Sequence, residues 1–414
     1  MVRFTSFMLN LGLALAAPSL IPRQDQGAVN KKLIVGAAGQ ILSFQYDGKT
    51  FKPISKVNET GKSASWMVFK RPNHLYAVDE NSNTLRQFNY DPATGKLSDK
   101  PILEKTGSPG VVSLEFNHDK TRLLGGSYSN GTVDIWDTSA ADGSMKFIKN
   151  VTLTGDVNPK HGTHRAHQIV PNPSGRFFAI NDLGGDAIHI MDSKKDYTIT
   201  STAKVEPAGC GPRHGSFLNT NANPQSIPTH YVILCETMNL IQLYSVEPKK
   251  ADDTLVLTPL QSLSSYGPGF APLNATTAAA GELTVANNQR DVYITNRLSG
   301  NETDNVSLFA FQGKAGQAKL EFQAQVSSGG ISPRMMSLSR DKDQGIMFVA
   351  NPQGTNGIVA LQRSENCGLL SPVPIASIVN TDISKETGGF GPQFVLEIPA
   401  TAPSSTKGKA NKNA

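Results

Sequence analysis

The sequence predicts an all-β fold: a seven-bladed β-propeller with one blade closed by strands from both chain ends. Three observations carry this. A set of short apolar strands and turns recurs with a period of about 50 residues. Within each strand apolar and polar residues alternate with period two, and Gly, Asn, Asp and Pro stand between strands. The two ends of the chain carry complementary fragments of one further set.

Each complete set shows three strands in order. The first set is SWMVF (65–69), LYAV (75–78) and TLRQFNY (84–90). The second is VVSLEF (111–116), RLLGGSY (122–128) and TVDIWDT (132–138). The third is AHQIV (166–170), FFAIND (177–182) and AIHIMD (187–192). The fourth is RHGSF (213–217), YVILCE (231–236) and LIQLYSV (240–246). The fifth is ELTVA (282–286), VYITNR (292–297) and VSLFAF (306–311). The sixth is RMMSL (334–338), MFVAN (347–351) and GIVALQ (357–362). Fourth strands follow at KFIKNVTL (146–153), YTITSTAKV (197–205), LEFQAQVS (320–327) and PIASIV (374–379). Four strands per unit at this period is how propeller blades are built.

The ends make the seventh unit. GPQFVLEI (391–398) reads as a first strand, while LIVGA (33–37) and ILSFQYD (41–47) read as second and third strands. Hydrogen bonds between them close the ring and leave no free sheet edge. An array of β-sandwich domains would not require the ends to complement each other.

Flanking the ring, residues 1–16 have the layout of a signal peptide: Arg3, an apolar run from Phe4 and the small-x-small triplet Ala14-Leu15-Ala16. Residues 17–30 read as a short leader, 31–398 as the propeller and 399–414 as a disordered basic tail. The expected localisation is secreted, with cell-wall association, and no segment has the length and apolarity of a membrane span. The net charge is +5, but Arg3, Lys407, Lys409 and Lys412 lie in the end segments. The body is therefore near neutral, which argues against a nucleic-acid partner. Six N-x-S/T sequons, at Asn58, Asn130, Asn150, Asn274, Asn301 and Asn305, are candidate glycosylation sites. Of the three cysteines, Cys210 and Cys235 fall in one set. The oxidising route permits a bridge between them, and the sequence does not decide it.

In a propeller the first strand of each blade lies innermost. The starts of first strands and the ends of second strands face the channel mouth, so residues distant in sequence converge there. The second strands end in Asp79-Glu80, Tyr128, Asp182, Glu236, Arg297 and Asn351. The first strands begin near Ser65, His167, Arg213-His214 and Arg334. Arg213, Arg297 and Arg334 suit carboxylates through bidentate hydrogen bonds. His167, His214 and Glu236 suit proton transfer at neutral pH. These groups fit an anionic small-molecule substrate. They would equally satisfy one another in a polar, water-filled channel.

The stretch HGTHRAHQIV (161–170) spaces three histidines by three. That spacing aligns side chains on a helix, whereas a strand alternates by two. Only His167 falls on an innermost strand; His161 and His164 precede it in a loop, and His189 on a third strand reads as structural. Without an HExxH or CxxC motif, no metal is expected. GGSYSNG lies between two strands and opens no helix, so no phosphate loop and no cofactor are expected.

Several segments carry a resemblance: HQIVPNPSGRFFAINDLGGDAIHIMD, GPRHGSF followed by YVILCETMNLIQLYSV, VYITNR, and SPRMMSL with MFVANPQGTNGIVAL. Across most of residues 31–398 the chain resembles the seven-bladed lactonase family. That family includes 6-phosphogluconolactonases and fungal 3-carboxy-cis,cis-muconate cyclases. The resemblance is closer to the cyclase branch. It implies His167, Arg213, Glu236 and Arg297 as catalytic residues; His214, Arg334, Asp182 and Glu80 are expected to bind substrate from their channel-mouth positions. It departs from that branch at the insertion NTNANPQSIPTH (219–230) and in the export signal, which is unexpected for an enzyme of aromatic catabolism.

Two functions remain in view. One is a secreted lactonase-type enzyme, either a lactonising isomerase or a lactone hydrolase. The other is a secreted or cell-wall glycoprotein, an antigen or adhesin meeting cell-wall or host-surface components, with a vestigial site.

Overall fold

The computed structural model describes residues 30–220, 227–313, 317–383 and 391–400. The signal-peptide reading, the leader to residue 29 and the tail from 401 lie outside the described residues.

Strands β1 (Lys31–Tyr46) and β2 (Phe51–Ser63) open the chain. Blade 1 holds β3 (Met67–Lys70), β4 (His74–Val78), β5 (Thr84–Asn89) and β6 (Leu103–Thr106). Blade 2 holds β7 (Val111–Phe116), β8 (Arg122–Ser127), β9 (Thr132–Asp137) and β10 (Lys146–Thr152). Blade 3 holds β11 (Ala166–Pro171), β12 (Phe177–Asp182), β13 (Ala187–Asp192) and β14 (Thr198–Lys204). Blade 4 holds β15 (Pro212–Leu218), β16 (His230–Cys235), β17 (Leu240–Lys249) and β18 (Thr254–Ser264). Blade 5 holds β19 (Ala279–Val285), β20 (Asp291–Arg297), β21 (Asn305–Gln312) and β22 (Lys319–Ser327). Blade 6 holds β23 (Met335–Leu338), β24 (Ile346–Ala350), β25 (Asn356–Gln362) and β26 (Ala376–Val379). The last strand, β27 (Pro392–Glu397), belongs to blade 7 with β1 and β2.

Blades 1 to 6 are four-stranded antiparallel sheets in chain order, and blade 7 has the order β2-β1-β27. The two N-terminal runs expected as separate strands are halves of β1. Leu33–Ala37 pairs with β27, from Leu33↔Glu397 to Ala37↔Pro392. Gln40–Tyr46 pairs with β2, from Gln40↔Asn58 to Tyr46↔Phe51. Gly39, at φ 75°, stands where the chain changes partner, a backbone region that glycine enters without penalty.

The core lies between the blades. Ile233 and Tyr231 of blade 4 pack with Ala179 and Ile188 of blade 3, and Val232 and Leu234 with Val292 and Ile294 of blade 5. The largest cluster spans the closure, joining Phe348 of blade 6, Ile34 and Val395 of blade 7 and Leu75 of blade 1. Second and third strands are buried on both faces, so they read as near-continuous apolar runs. Each buried Val, Leu or Ile contributes about 1.5–3 kcal/mol.

Candidate active site in the central channel

Ser65, Trp66, Val112, His167, Arg213, His214, Arg334, Met335 and Gln393 enclose a cavity of about 10 Å³ at the channel mouth. All come from, or lie just before, first strands of blades 1, 2, 3, 4, 6 and 7. That volume holds a single water. Second-strand ends deliver Glu236 and Arg297 to the same place.

Glu236 is the hub. Its Oε2 lies 2.8 Å from Arg213 Nε and its Oε1 lies 3.2 Å from Arg297 Nη2. His167 Nε2 is 3.9 Å from the same carboxylate. Backbone bonds fix the arginines: Arg213 Nη1 donates to Gly281 O at 2.7 Å and Arg297 Nη2 to Ala280 O at 3.0 Å. Gly281 has no Cβ because one would meet Pro333 O at 2.8 Å and Arg297 Cδ at 3.1 Å. On the far side Arg334 Nη2 donates to Glu80 Oε2 at 2.5 Å. The Cys210–Cys235 disulfide joins the start of β15 to the end of β16, the two strand ends that carry Arg213 and Glu236.

His167 is 6% exposed, with its ring edge-on to His214 at 5.0 Å and to Tyr128 at 5.6 Å. Its Nδ1 has no hydrogen-bond partner among the described residues. Burial, then the positive charges of Arg213, Arg334 and Arg297 with His214, hold its pKa well below the ordinary histidine value. It is therefore neutral at pH 7. Burial also lowers Arg213, to about 10, with Arg297 adding to the effect and Glu236 opposing it. For Glu236 burial alone would raise the pKa, but Arg297, Arg213 and Arg334 outweigh it and keep the carboxyl below its usual value.

The structure adds Glu282, which the sequence reading missed. Its Oε1 accepts from His214 Nδ1 at 2.8 Å, and both side chains are buried. This fixes the His214 tautomer, leaving Nε2 as acceptor toward Arg213 Nη1 at 3.2 Å. Burial, opposed by Glu282, lowers the His214 pKa, so this imidazole is neutral too. The available signal was an acidic residue in the otherwise apolar inner strand AAGELTV.

Two expectations are corrected. Asp182 lines no part of the cavity: it is fully buried, and Oδ1 accepts from the backbone N–H groups of Arg165 at 2.7 Å and Gly185 at 3.0 Å. Its other oxygen faces His164 and His189. Among the sequons, Asn58, Asn130, Asn150 and Asn274 are exposed and Asn301 is partly exposed. Asn305 is 6% exposed in β21, and its Oδ1 accepts from Asn296 Nδ2 at 2.8 Å. A glycan does not fit there.

Fold and site together define a closed seven-bladed propeller whose channel carries a ring of arginines, carboxylates and neutral histidines. The chain belongs to the lactonase family with a 7-bladed beta-propeller, whose family model matches residues 27–381. It is similar to a protein of Arthroderma benhamiae named "Probable 6-phosphogluconolactonase", 26% identical over 358 residues that cover 83% of this chain and 85% of the relative. Its fold is shared with the periplasmic gluconolactonase of Pseudomonas aeruginosa, at a TM-score of 0.72 and 19% identity, covering 90% of this chain and 100% of that one. A protein from Lactobacillus plantarum matches at a TM-score of 0.66 and 18% identity, covering 84% and 99%.

Proposed function

We propose that the channel binds a carboxylate-bearing small molecule and opens or closes a lactone on it. One observation carries this reading: two arginines, Arg213 buried and Arg297 nearly so, converge on a single carboxylate beside a neutral histidine. Arginines that clasp Glu236 present the donors that a substrate carboxylate, or the oxyanion of an attacked ester, requires. The cavity holds only a water, so the ligand takes the place of Glu236. The Glu236 side chain is 26% exposed, so it is the member of the cluster open to displacement.

The protonation states favour ring opening. Neutral His167 takes a proton from water as its oxygen attacks the lactone carbonyl. Arg213 and Arg297 stabilise the oxyanion. The ring C–O bond then breaks, and the imidazolium returns the proton to the departing alkoxide. Ionised Glu236 is a poor acid; before the ligand enters it is the anion that keeps both arginines in place. In the closing direction, as in carboxymuconate cyclisation, a substrate carboxylate adds to a carbon–carbon double bond and a proton goes to the neighbouring carbon. His167 must then first be protonated, which its lowered pKa opposes. The name of the fungal relative also supports hydrolysis.

Turnover of 6-phosphogluconolactone, gluconolactone and 3-carboxymuconate, with Arg213→Ala as control, tests this. Hydrolysis of a lactone that Arg213→Ala abolishes supports the opening reading; cyclisation of carboxymuconate alone replaces it with the closing one. Turnover untouched by Arg213→Ala removes the site assignment. Export is supported by the Cys210–Cys235 bridge, because disulfides persist in oxidising compartments. Expression in the native host, with the N-terminus of protein in the medium sequenced, tests it: a start near residue 17 is expected, and retention inside the cell rejects export.

A further inference from the structure

Behind the channel, blade 3 gathers three metal-ligating side chains that the proposed chemistry does not use. His164 comes from the loop before β11, Asp182 from the end of β12 and His189 from the middle of β13. Asp182 Oδ2 lies 2.5 Å from His164 Nδ1 and 3.3 Å from His189 Nε2. These three atoms all fall within 4.8 Å of one another. We propose that His164, Asp182 and His189 form a divalent transition-metal site, suited to Zn²⁺, that staples the loop leading into His167.

Four observations carry this. The donor set is two imidazoles and one carboxylate, the ligands that borderline-soft cations such as Zn²⁺ and Co²⁺ prefer. With metal–ligand distances of about 2.0–2.2 Å, tetrahedral ligands stand about 3.3 Å apart, so Asp182 and His189 already have that spacing and the Asp182–His164 pair must open for an ion to enter. Outer contacts already orient the ligands. His189 Nδ1 meets Thr202 Oγ1 at 2.9 Å, which leaves Nε2 as the coordinating nitrogen, and two backbone N–H groups hold Asp182 Oδ1 so that Oδ2 faces the imidazoles. Finally, the backbone closes tightly on the cluster at Gly185: a Cβ there would collide with Asp182 Oδ2 and come within 2.9 Å of His164 Nδ1, so only glycine leaves these ligand atoms undisturbed.

Access and consequence both run through the loop. Asp182 and His189 are sealed, while the His164 side chain is 13% exposed and offers the entry path. The next residue, Arg165, stacks its guanidinium on the Tyr128 ring at 4.5 Å, and Tyr128 packs on His167. An ion on His164 therefore ties down the segment that supports the inward histidine. From the sequence alone no metal is expected, because the chain has no HExxH or CxxC motif and the three-residue spacing of the histidines at 161, 164 and 167 does not suit a strand. Only His164 of that group is used, and its partners come from the adjoining strands.

The test is titration of untagged, chelator-stripped protein with Zn²⁺ by calorimetry and with Co²⁺ by visible absorption. The wild type should bind one equivalent, its Tm should rise with Zn²⁺, and Co²⁺ should give a four- or five-coordinate d–d band. His164→Asn, altered at the one exposed ligand, and Asp182→Asn, which keeps Oδ1, should each bind at least 10-fold more weakly while circular dichroism stays unchanged. Should Asp182→Asn not fold, His164→Asn decides alone. Wild-type protein that binds neither ion, or binding that survives folded His164→Asn, overturns the proposal and leaves the cluster a hydrogen-bonded network. Neither readout depends on lactone turnover, so the channel assignment stands or falls separately.

Discussion

Replacing Arg213 with alanine separates the cost to chemistry from the cost to folding. The guanidinium makes three polar contacts: Glu236 at 2.8 Å, Gly281 O at 2.7 Å and His214 Nε2 at 3.2 Å. Breaking a fully buried ion pair usually costs about 3–5 kcal/mol, because the surviving charge is orphaned. Glu236 is not orphaned here. It keeps Arg297 at 3.2 Å, and its side chain is 26% exposed. The stability loss should therefore be about 1–3 kcal/mol, set mainly by the unpaired Gly281 carbonyl and His214. The loss to catalysis should be larger, about 10²–10³ in kcat, as for removing one donor from an oxyanion site. The pH profile should move as well. His167 is depressed by burial and then by Arg213, so its neutral form persists below the ordinary histidine range. The acid limb of kcat/KM should lie below about 6.5 in the wild type and shift upward once the Arg213 cation is gone. Urea melts and kcat, KM and pH profiles on the best lactone substrate supply every quantity. A variant with kcat within threefold of wild type and an unmoved acid limb would refute both the donor role and the identity of the base.

Three further outcomes are expected. Glu282→Gln keeps the acceptor shape but removes the charge behind His214; kcat should fall about tenfold with KM nearly unchanged, and Glu282→Ala should fall further with a lower Tm, because His214 Nδ1 loses its buried partner. Equal activity in all three forms would make Glu282 a purely structural residue. Replacing Cys210 and Cys235 together with serine frees a 25-residue separation and should cost about 3.5 kcal/mol on the chain-entropy account, read as a lower urea midpoint. Val395→Asp places a carboxylate in the fully buried pairing of β27 with Val35. Stability should drop by several kcal/mol and turnover should fall with it; unchanged melting would show that closure of blade 7 carries little of the fold.

The sequence was most legible where burial is one-sided or complete and least where it is absent. Inner and middle strands showed clear patterns, and their ends include His167, Arg213, Glu236, Arg297, Arg334 and Glu80, which the structure gathers around the channel. Outer strands were harder. β2, FKPISKVNETGKS, is polar, half exposed and carries Pro53, so nothing in it alternates cleanly. β6 is four residues with three exposed. β18 loses its pattern beyond Leu257, where exposed residues dominate. Asp182 illustrates a different limit. β12 is buried throughout, so alternation does not say which way its last side chain turns. The position matches Glu236 in the repeat, but His189 and His164 stand ready to receive the carboxylate, and it turns to them. Glu282 left one trace, an acid in a mostly apolar inner strand, but its role shows only through the imidazole it serves.

The four residues that the family resemblance implies lie in blades 3, 4 and 5, yet the channel is completed from across the closure. Arg334 of blade 6 meets Glu80, 254 residues earlier in the chain, and Gln393 of blade 7 reaches the cavity between them. Gln393 also accepts from Ser63 at the end of β2 at 3.1 Å. Further contacts tighten the same seam: Lys31 lies 3.5 Å from Glu397, and Arg71 Nη2 donates to Pro399 O at 2.6 Å. Arg334 is one of the cations that lower His167, and Glu80 holds that cation in place. A contact that exists only when the ring is closed therefore adds to the burial and the Arg213 charge that keep the proposed base neutral. Joining the chain ends thus does more than hide two sheet edges: it completes the electrostatic surroundings in which His167 stays neutral.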